Sequence, residues 1–162
     1  MRRINIIYVG GIKAQEKYYR EAVDEYIKRL GPAFKIENIE IKEERLPDKP
    51  GEAEIEVCLK KEGVKILEKT GGGAFKIALC TEGKRLSSEG FAAILYGGKA
   101  VNSQSVDFFI GSSHGLSDEV KKSADYLLSL SDMTFTHRLA RVMLTEQIYR
   151  AFAIETGKKY NK

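Results

Sequence analysis

The chain has 162 residues, of which 43% are hydrophobic and 31% charged, with three prolines and a formal net charge of +4. That length suits one domain spanning residues 1–162, able to bury about 70% of its unfolded surface, and the composition is that of a globular protein rather than a disordered or fibrous one. The longest apolar run is only a few residues, too short to span a bilayer, and two cysteines, Cys58 and Cys80, fit a reduced cytoplasmic setting better than a disulfide framework.

The opening stretch "RINIIYVG" reads as a strand ending at Gly10-Gly11; its basic start and short apolar run, interrupted by Asn5, fit a strand better than a signal peptide. A helix is expected from about Ala14 to Leu30, with Ala22, Val23, Tyr26, Ile27 and Leu30 at helical spacing and Gly31-Pro32 ending it. "FKIENIEIK" is a second strand. "EERLPDKPG" is a charged surface loop broken by Pro47 and Pro50. A helix over about Glu52–Lys69 stops at Thr70-Gly71-Gly72-Gly73, and "FKIALC" follows as a buried strand. "TEGKRLSSEGF" then gives a turn and a helix capped by Ser87 or Ser88.

"VDFFIG" is an apolar strand running into the glycine loop "GSSHG", and "LSDEVKKSA" is a short helix with Ser117 as cap and acids in its first turn. "YLLSL" is the last strand. The final helix, about Thr136 to Thr156 with Gly157 as its stop, is apolar on two sides. Leu139, Val142, Met143 and Tyr149 cover one side, and Leu144, Ile148, Ala151 and Ile154 the other. A helix apolar all round is buried on both sides, so its outer side is expected to meet a second subunit in a homodimer. The strand–helix alternation predicts an α/β fold: a single domain with a mainly parallel sheet flanked by helices.

Charge is unevenly placed. Thr136 to Lys162 holds six basic residues, Arg138, Arg141, Arg150, Lys158, Lys159 and Lys162, against Glu146 and Glu155, so this segment carries the whole excess of +4. Such a patch suits a phosphate backbone or another anionic partner, or is simply a solvated helix face.

Open α/β sheets bind ligands at the carboxyl ends of their strands. Three strand ends here are rich in glycine and short polar side chains: Leu79 to Gly83, Gly111 to Gly115, and Leu130 to Phe135. Their joint occurrence favours a pocket over three ordinary turns. The sequence has no phosphate-binding P-loop, its glycine run precedes a strand instead of following one, its cysteines lack zinc spacing, and no G-x-S-x-G elbow supports a hydrolytic triad. Cys80, beside the pocket, reads as a small buried hydrophobe ahead of a nucleophile. Spacing alone supports a basic-ended α/β ligand-binding domain.

The stretches "FFIGSSHGLS", "ADYLLSLSDMTFTHRLARVMLTEQIYRAF" and "GKKYNK", with "INIIYVGGIK" and "LCTEGKRLSSEGFA" before them, resemble the large-subunit ribosomal RNA pseudouridine N(3)-methyltransferase family of the SPOUT class over the whole chain. The resemblance implies a C-terminal trefoil knot, an exception to the rule that chains do not thread their own loops. It implies S-adenosylmethionine as cofactor, bound through Leu79, Gly111, Leu130, Ser131, Asp132, Met133, Thr134 and Phe135, and no metal. It further implies a substrate in large-subunit rRNA within the ribosome, and a homodimer in which the partner's C-terminal tail completes each site. Methylating the imide nitrogen requires loss of its proton. His137 is the expected base, Arg141 or Arg138 the anion stabiliser, and Tyr160 the residue orienting the substrate base. The plainer alternatives are that His137 caps the helix and the arginines touch rRNA phosphates.

The chain departs from the family at Asn161, where histidine is usual, at Ser112 in place of a second glycine, at Thr136 in place of proline, and at Arg138 in place of glutamine. The Asn161 departure motivates one alternative, a cofactor- or RNA-binding relative with little catalysis; a further alternative is a tRNA methyltransferase of the same fold.

Overall fold

The computed structural model describes residues 2–160. In chain order it contains β1 (Arg2–Val9), a 3-10 turn (Ala14–Glu16), α1 (Lys17–Leu30), β2 (Phe34–Ile41), α2 (Glu52–Glu68) and β3 (Ala74–Arg85). There follow α3 (Ser88–Tyr96), α4 (Gly98–Val101), β4 (Ser105–Ile110), α5 (Asp118–Ser123), β5 (Tyr126–Ser129) and α6 (His137–Glu155).

The five strands form one sheet in the order β2-β1-β4-β3-β5, and every pairing is parallel. Parallel sheets are covered on both faces, and the period-2 alternation of side chains divides the core accordingly. Ile4, Ile6, Phe108 and Ile110 pack on one side with Leu30, Phe91, Leu95, Leu144 and Ile148 of α1, α3 and α6. Ile7, Val9 and Phe109 pack on the other with Ile66 of α2 and Val120 of α5. β1 and β4 are neighbours whose outgoing connections run opposite ways, one to β2 and the other past β3 to β5. That divergence leaves a crevice above the carboxyl ends of the strands.

The helices end as their sequences dictate. Ser87 Oγ accepts from the Gly90 amide at 3.0 Å, Ser117 Oγ from Val120 at 3.3 Å, and Thr136 Oγ1 from Leu139 at 3.3 Å. α6 closes at Gly157, whose φ of +67° favours glycine, and the Lys158 amide donates back to the Ala153 carbonyl at 2.9 Å.

Three boundaries differ from the sequence expectation. The first helix begins as a 3-10 turn and becomes α-helical only at Lys17, because no side chain caps either start. The four-residue α4 is too short to carry a periodic signal, and it opens at Gly98 with φ +49°. β3 extends through "TEGKR", where local composition predicts a turn. It pairs with β5 at Ile77–Leu79, shifts register, and pairs again at Lys84–Arg85. The intervening residues bulge, and Gly83 permits it: a Cβ there would stand 2.6 Å from the Leu128 carbonyl carbon. Tertiary pairing overrides local turn propensity here.

Candidate functional site

The three strand ends meet. A cavity of about 660 Å³ opens above β3, β4 and β5. Its walls are Leu79–Glu82 from the β3 bulge, Ile110–Leu116 after β4, and Leu128–Ser131 with Met133–His137 after β5. Lys121 of α5 and Arg138 and Ala140 of α6 complete it.

The loops are shaped by residues that could not be exchanged freely. A side chain at Gly111 would run into the Gly115 carbonyl, and Gly115 itself has φ +89°. The Gly115 amide donates to the Ser112 carbonyl at 2.9 Å, closing the turn. After β5, Ser129 Oγ donates to the Ser131 carbonyl at 2.9 Å, and Ser131 Oγ accepts from the Met133 amide at 3.0 Å. These hydroxyls fold the segment back on itself and leave Met133, 71% exposed, at the rim.

Of the residues expected to hold a cofactor, Leu79, Gly111, Leu130, Ser131, Met133, Thr134 and Phe135 line this cavity. Asp132 does not; its exposed carboxylate pairs with Arg85 at the end of β3. His137 and Arg138 also line it, whereas Arg141 and Tyr160 do not.

His137 is the first residue of α6 and half-buried, and its Nε2 has no hydrogen-bond partner among the described residues. Burial lowers its pKa below the usual 6.5, helped by the Arg138 charge and opposed by Glu43 and Glu16. Arg138 is ion-paired with Glu16, Nε to Oε2 at 3.1 Å, and donates from Nε to the Gly11 carbonyl at 3.4 Å. Arg141 points the other way, buried against β1, with its guanidinium carbon 3.8 Å from the Tyr8 ring centroid. Tyr160 folds back on its own α6: its hydroxyl donates to Glu146 Oε1 at 3.2 Å and its ring meets Tyr149 edge-on at 4.7 Å. Asn161 lies outside the described residues.

Two features escaped sequence reasoning. Glu82 on the β3 bulge and Lys121 on α5 form an ion pair at 2.5 Å across the cavity wall. Glu62, set among the charged residues of "KKEG", is only 2% exposed and receives a hydrogen bond from Ser112 of the cavity loop. The signal available was its place on the helix, one turn after buried Cys58 and one turn before buried Ile66. Both cysteines are free, and burial raises the thiol pKa of each, Cys58 to about 11. Among the described residues no cluster of His, Cys, Asp and Glu is arranged to hold a metal ion. No described helix is long and apolar enough to cross a membrane.

The lining chemistry constrains the ligand. The volume is that of a small-molecule site, about 300–1,000 Å³. Leu79, Ile110, Leu128, Leu130 and Phe135 offer apolar surface, and Thr81, Ser129, Ser131 and Thr134 offer hydroxyls. Both long cationic side chains on its wall are already paired, Lys121 with Glu82 and Arg138 with Glu16. A polyphosphate would find no free cation among these. A nucleoside-like ligand with an apolar ring and several polar edges matches the set.

The sequence profile described as "Predicted SPOUT methyltransferase" matches residues 2–161. The Streptococcus thermophilus protein named ribosomal RNA large subunit methyltransferase H is 46% identical over 160 residues, covering 99% of each chain. Proteins of the same name from Oenococcus oeni and Bacillus thuringiensis are each 44% identical, the first over the full length of both chains and the second over 98% of this chain and 99% of its own.

Proposed function

The chain belongs to the SPOUT methyltransferase family, and from that premise we propose that it methylates N3 of a pseudouridine in large-subunit ribosomal RNA, with S-adenosylmethionine as donor. The observation that carries the reading is the convergence of three strand-end loops on one cavity in a chain matched end to end by relatives named for this activity.

The lining residues fit the cofactor. Apolar walls suit an adenine ring, hydroxyls and loop backbone suit the ribose and amino-acid ends, and the paired cations leave no repulsion for a sulfonium. Leu79, Gly111, Leu130, Ser131, Met133, Thr134 and Phe135 are the residues that would hold it; Asp132 acts by anchoring their loop to Arg85. Bound there, S-adenosylmethionine supplies an electrophilic methyl group.

The protein's part is to prepare the nucleophile. His137 lines the cavity, its Nε2 has no partner among the described residues, burial lowers its pKa below the usual 6.5, and it is the residue that takes the imide proton. Arg138, which lines the cavity and is ion-paired with Glu16, is the cation that stabilises the negative charge that proton loss leaves, whereas Arg141, buried against Tyr8, ties α6 to β1. Tyr160 does not line its own chain's cavity, so its role falls to the site of a second copy in a homodimer. In support of that dimer, the outer side of α6 is only partly covered: Val142 and Met143 line a second cavity of about 380 Å³ with Tyr26 and Leu86. The trefoil knot and a cytoplasmic, ribosome-bound setting belong to the same reading.

The test is methyl transfer from radiolabelled S-adenosylmethionine to ribosomes lacking the modification, followed by mass mapping of the RNA. One methyl on a large-subunit pseudouridine is the expected result. Transfer to free tRNA instead, or cofactor binding without transfer beside an active relative, overturns it.

A further inference from the structure

The loop after β4 forms a wall of the cavity, yet its hold on the rest of the fold comes from the opposite side. Ser112 is 7% exposed, and its hydroxyl donates to Glu62 Oε2 at 3.1 Å. The other carboxylate oxygen, Glu62 Oε1, accepts from the backbone amide of Glu44 at 3.0 Å and lies 3.6 Å from Cys58 Sγ. One buried carboxylate on α2 is thus hydrogen-bonded to two separate loops at the carboxyl edge of the sheet. Glu44 is in addition ion-paired with Lys65, one turn further along α2. Its neighbour Glu43 stands against Gly10, the glycine that His137 Nε2 also faces.

A carboxylate kept out of water is costly unless its lone pairs are used. A leucine would pack at this position of α2 without that penalty, so the charge has to be explained by what it holds. What it holds is loop geometry: the Ser112 hydroxyl fixes the point at which the "GSSHG" turn leaves β4. Directly before it stands Gly111, where no side chain fits. With its far end fixed by the Ser112–Gly115 turn, the wall has little freedom left. Helix α2 also packs close at this point, since a Cβ on Gly63 would stand 2.5 Å from Ser117 Oγ.

We propose that Glu62 is a positioning residue for the cavity, acting through Ser112 to hold the loop after β4 in its ligand-ready shape, and through the Glu44 amide to hold the loop after β2. The proposal rests on the assignment of the cavity to S-adenosylmethionine. It adds a residue that touches neither cofactor nor substrate, and it gives Ser112, a departure from the family's glycine, a definite task.

The experiment uses the full chain and its Ser112→Ala, Glu62→Leu and double variants, with S-adenosylhomocysteine binding measured by calorimetry and amide exchange by mass spectrometry. Ser112→Ala is expected to weaken binding about tenfold, the size of one hydrogen bond to a charged acceptor, and to speed exchange over residues 111–116 while leaving 42–46 unchanged. Glu62→Leu is expected to weaken binding to a similar degree and to speed exchange in both segments. The double variant should bind like Glu62→Leu, because both changes cut one link.

Unchanged affinity in Ser112→Ala, or losses that multiply in the double variant, overturns the proposal and leaves Glu62 a purely structural residue. Should Glu62→Leu fail to fold, affinity and exchange in Ser112→Ala decide alone. Failure of the unmodified chain to bind S-adenosylhomocysteine overturns the cofactor assignment itself, an outcome read before any variant is made.

Discussion

The Arg141 guanidinium lies flat enough against Tyr8 that its central carbon is 3.8 Å from the ring centroid, the closest cation–ring approach described in the molecule. Arg141 is 6% exposed, and desolvation lowers its pKa, with the Tyr8 hydroxyl opposing that shift. A buried cation over an aromatic face contributes about 2 kcal/mol. Tyr8→Leu is therefore expected to lower the unfolding free energy by that amount, read as a lower urea midpoint with an unchanged m-value. Arg141→Lys, which loses the guanidinium's contact with the ring, is expected to destabilise by a similar amount, about 2 kcal/mol. Cofactor affinity should stay intact, because Arg141 does not line the cavity. A matching loss of affinity in calorimetry would count against this division of roles.

His137 gives the activity a pH signature. Its folded pKa is below the 6.5 of the free side chain, so the unfolded chain takes up the proton first as pH falls. The stability it contributes is full above pH 6.5 and is lost as pH drops toward the folded value. Relative to His137→Gln, the parent protein should lose stability over that interval and stay level above it. As the base, His137 should lose kcat at a lower pH than an unperturbed imidazole would, because its protonation midpoint lies below 6.5. Stopped-time methylation assays across that range decide it.

Asp107 is fully buried and accepts from Asn5 Nδ2 and Ser105 Oγ at 2.8 Å each and from the Gly71 amide at 2.9 Å. It joins β1, β4 and the turn before β3. Asp107→Ala strands three donors at once and is expected to cost about 3 kcal/mol or more. The cavity lies at the opposite, carboxyl ends of the strands, so cofactor affinity of the molecules that remain folded should be near normal.

Two glycines of similar appearance in the sequence should answer differently to alanine. At Gly83 a Cβ would meet the Leu128 backbone at 2.6 Å, forcing β5 away from β3; a loss of about 2 kcal/mol is expected, with weakened cofactor binding. At Gly72 nothing lies within 4 Å and φ is not left-handed, so alanine should be neutral or stabilise by about 0.5 kcal/mol. Thermal melts of the two variants side by side give the comparison.

Four of the strands were legible as short apolar runs closed by glycine or a hydroxyl, and the second by its alternation; Ser117 was legible as a cap and Ser87 as one of two candidates, whereas Thr136, not His137, proves to cap α6. The cavity was legible for the same reason, since three polar strand ends in a parallel sheet must lie on one side of it. What could not be read was set by contacts distant in the chain. "TEGKR" has turn composition, but after its bulge Lys84 and Arg85 are drawn back into the sheet by Leu128 and Ser129. Glu62 looks like one more surface charge until Ser112 and Glu44 arrive. Arg141 and Arg138 stand one turn apart on α6, yet one is stacked on Tyr8 and the other is paired with Glu16.

The placement of β1 between β2 and β4 has a consequence for the newborn chain. One edge of β1 is satisfied early by β2, but the Asn5–Asp107 contact with β4 spans 102 residues. At translation speeds of about 5–20 residues per second, that apolar edge waits roughly 5–20 s for its partner. No hairpin can shorten the delay, since every pairing in the sheet is parallel. An exposed row of Ile4, Ile6 and Ile7 with free backbone groups is what holdase chaperones bind, so yield on overexpression should depend on their supply more than the small size of the chain suggests.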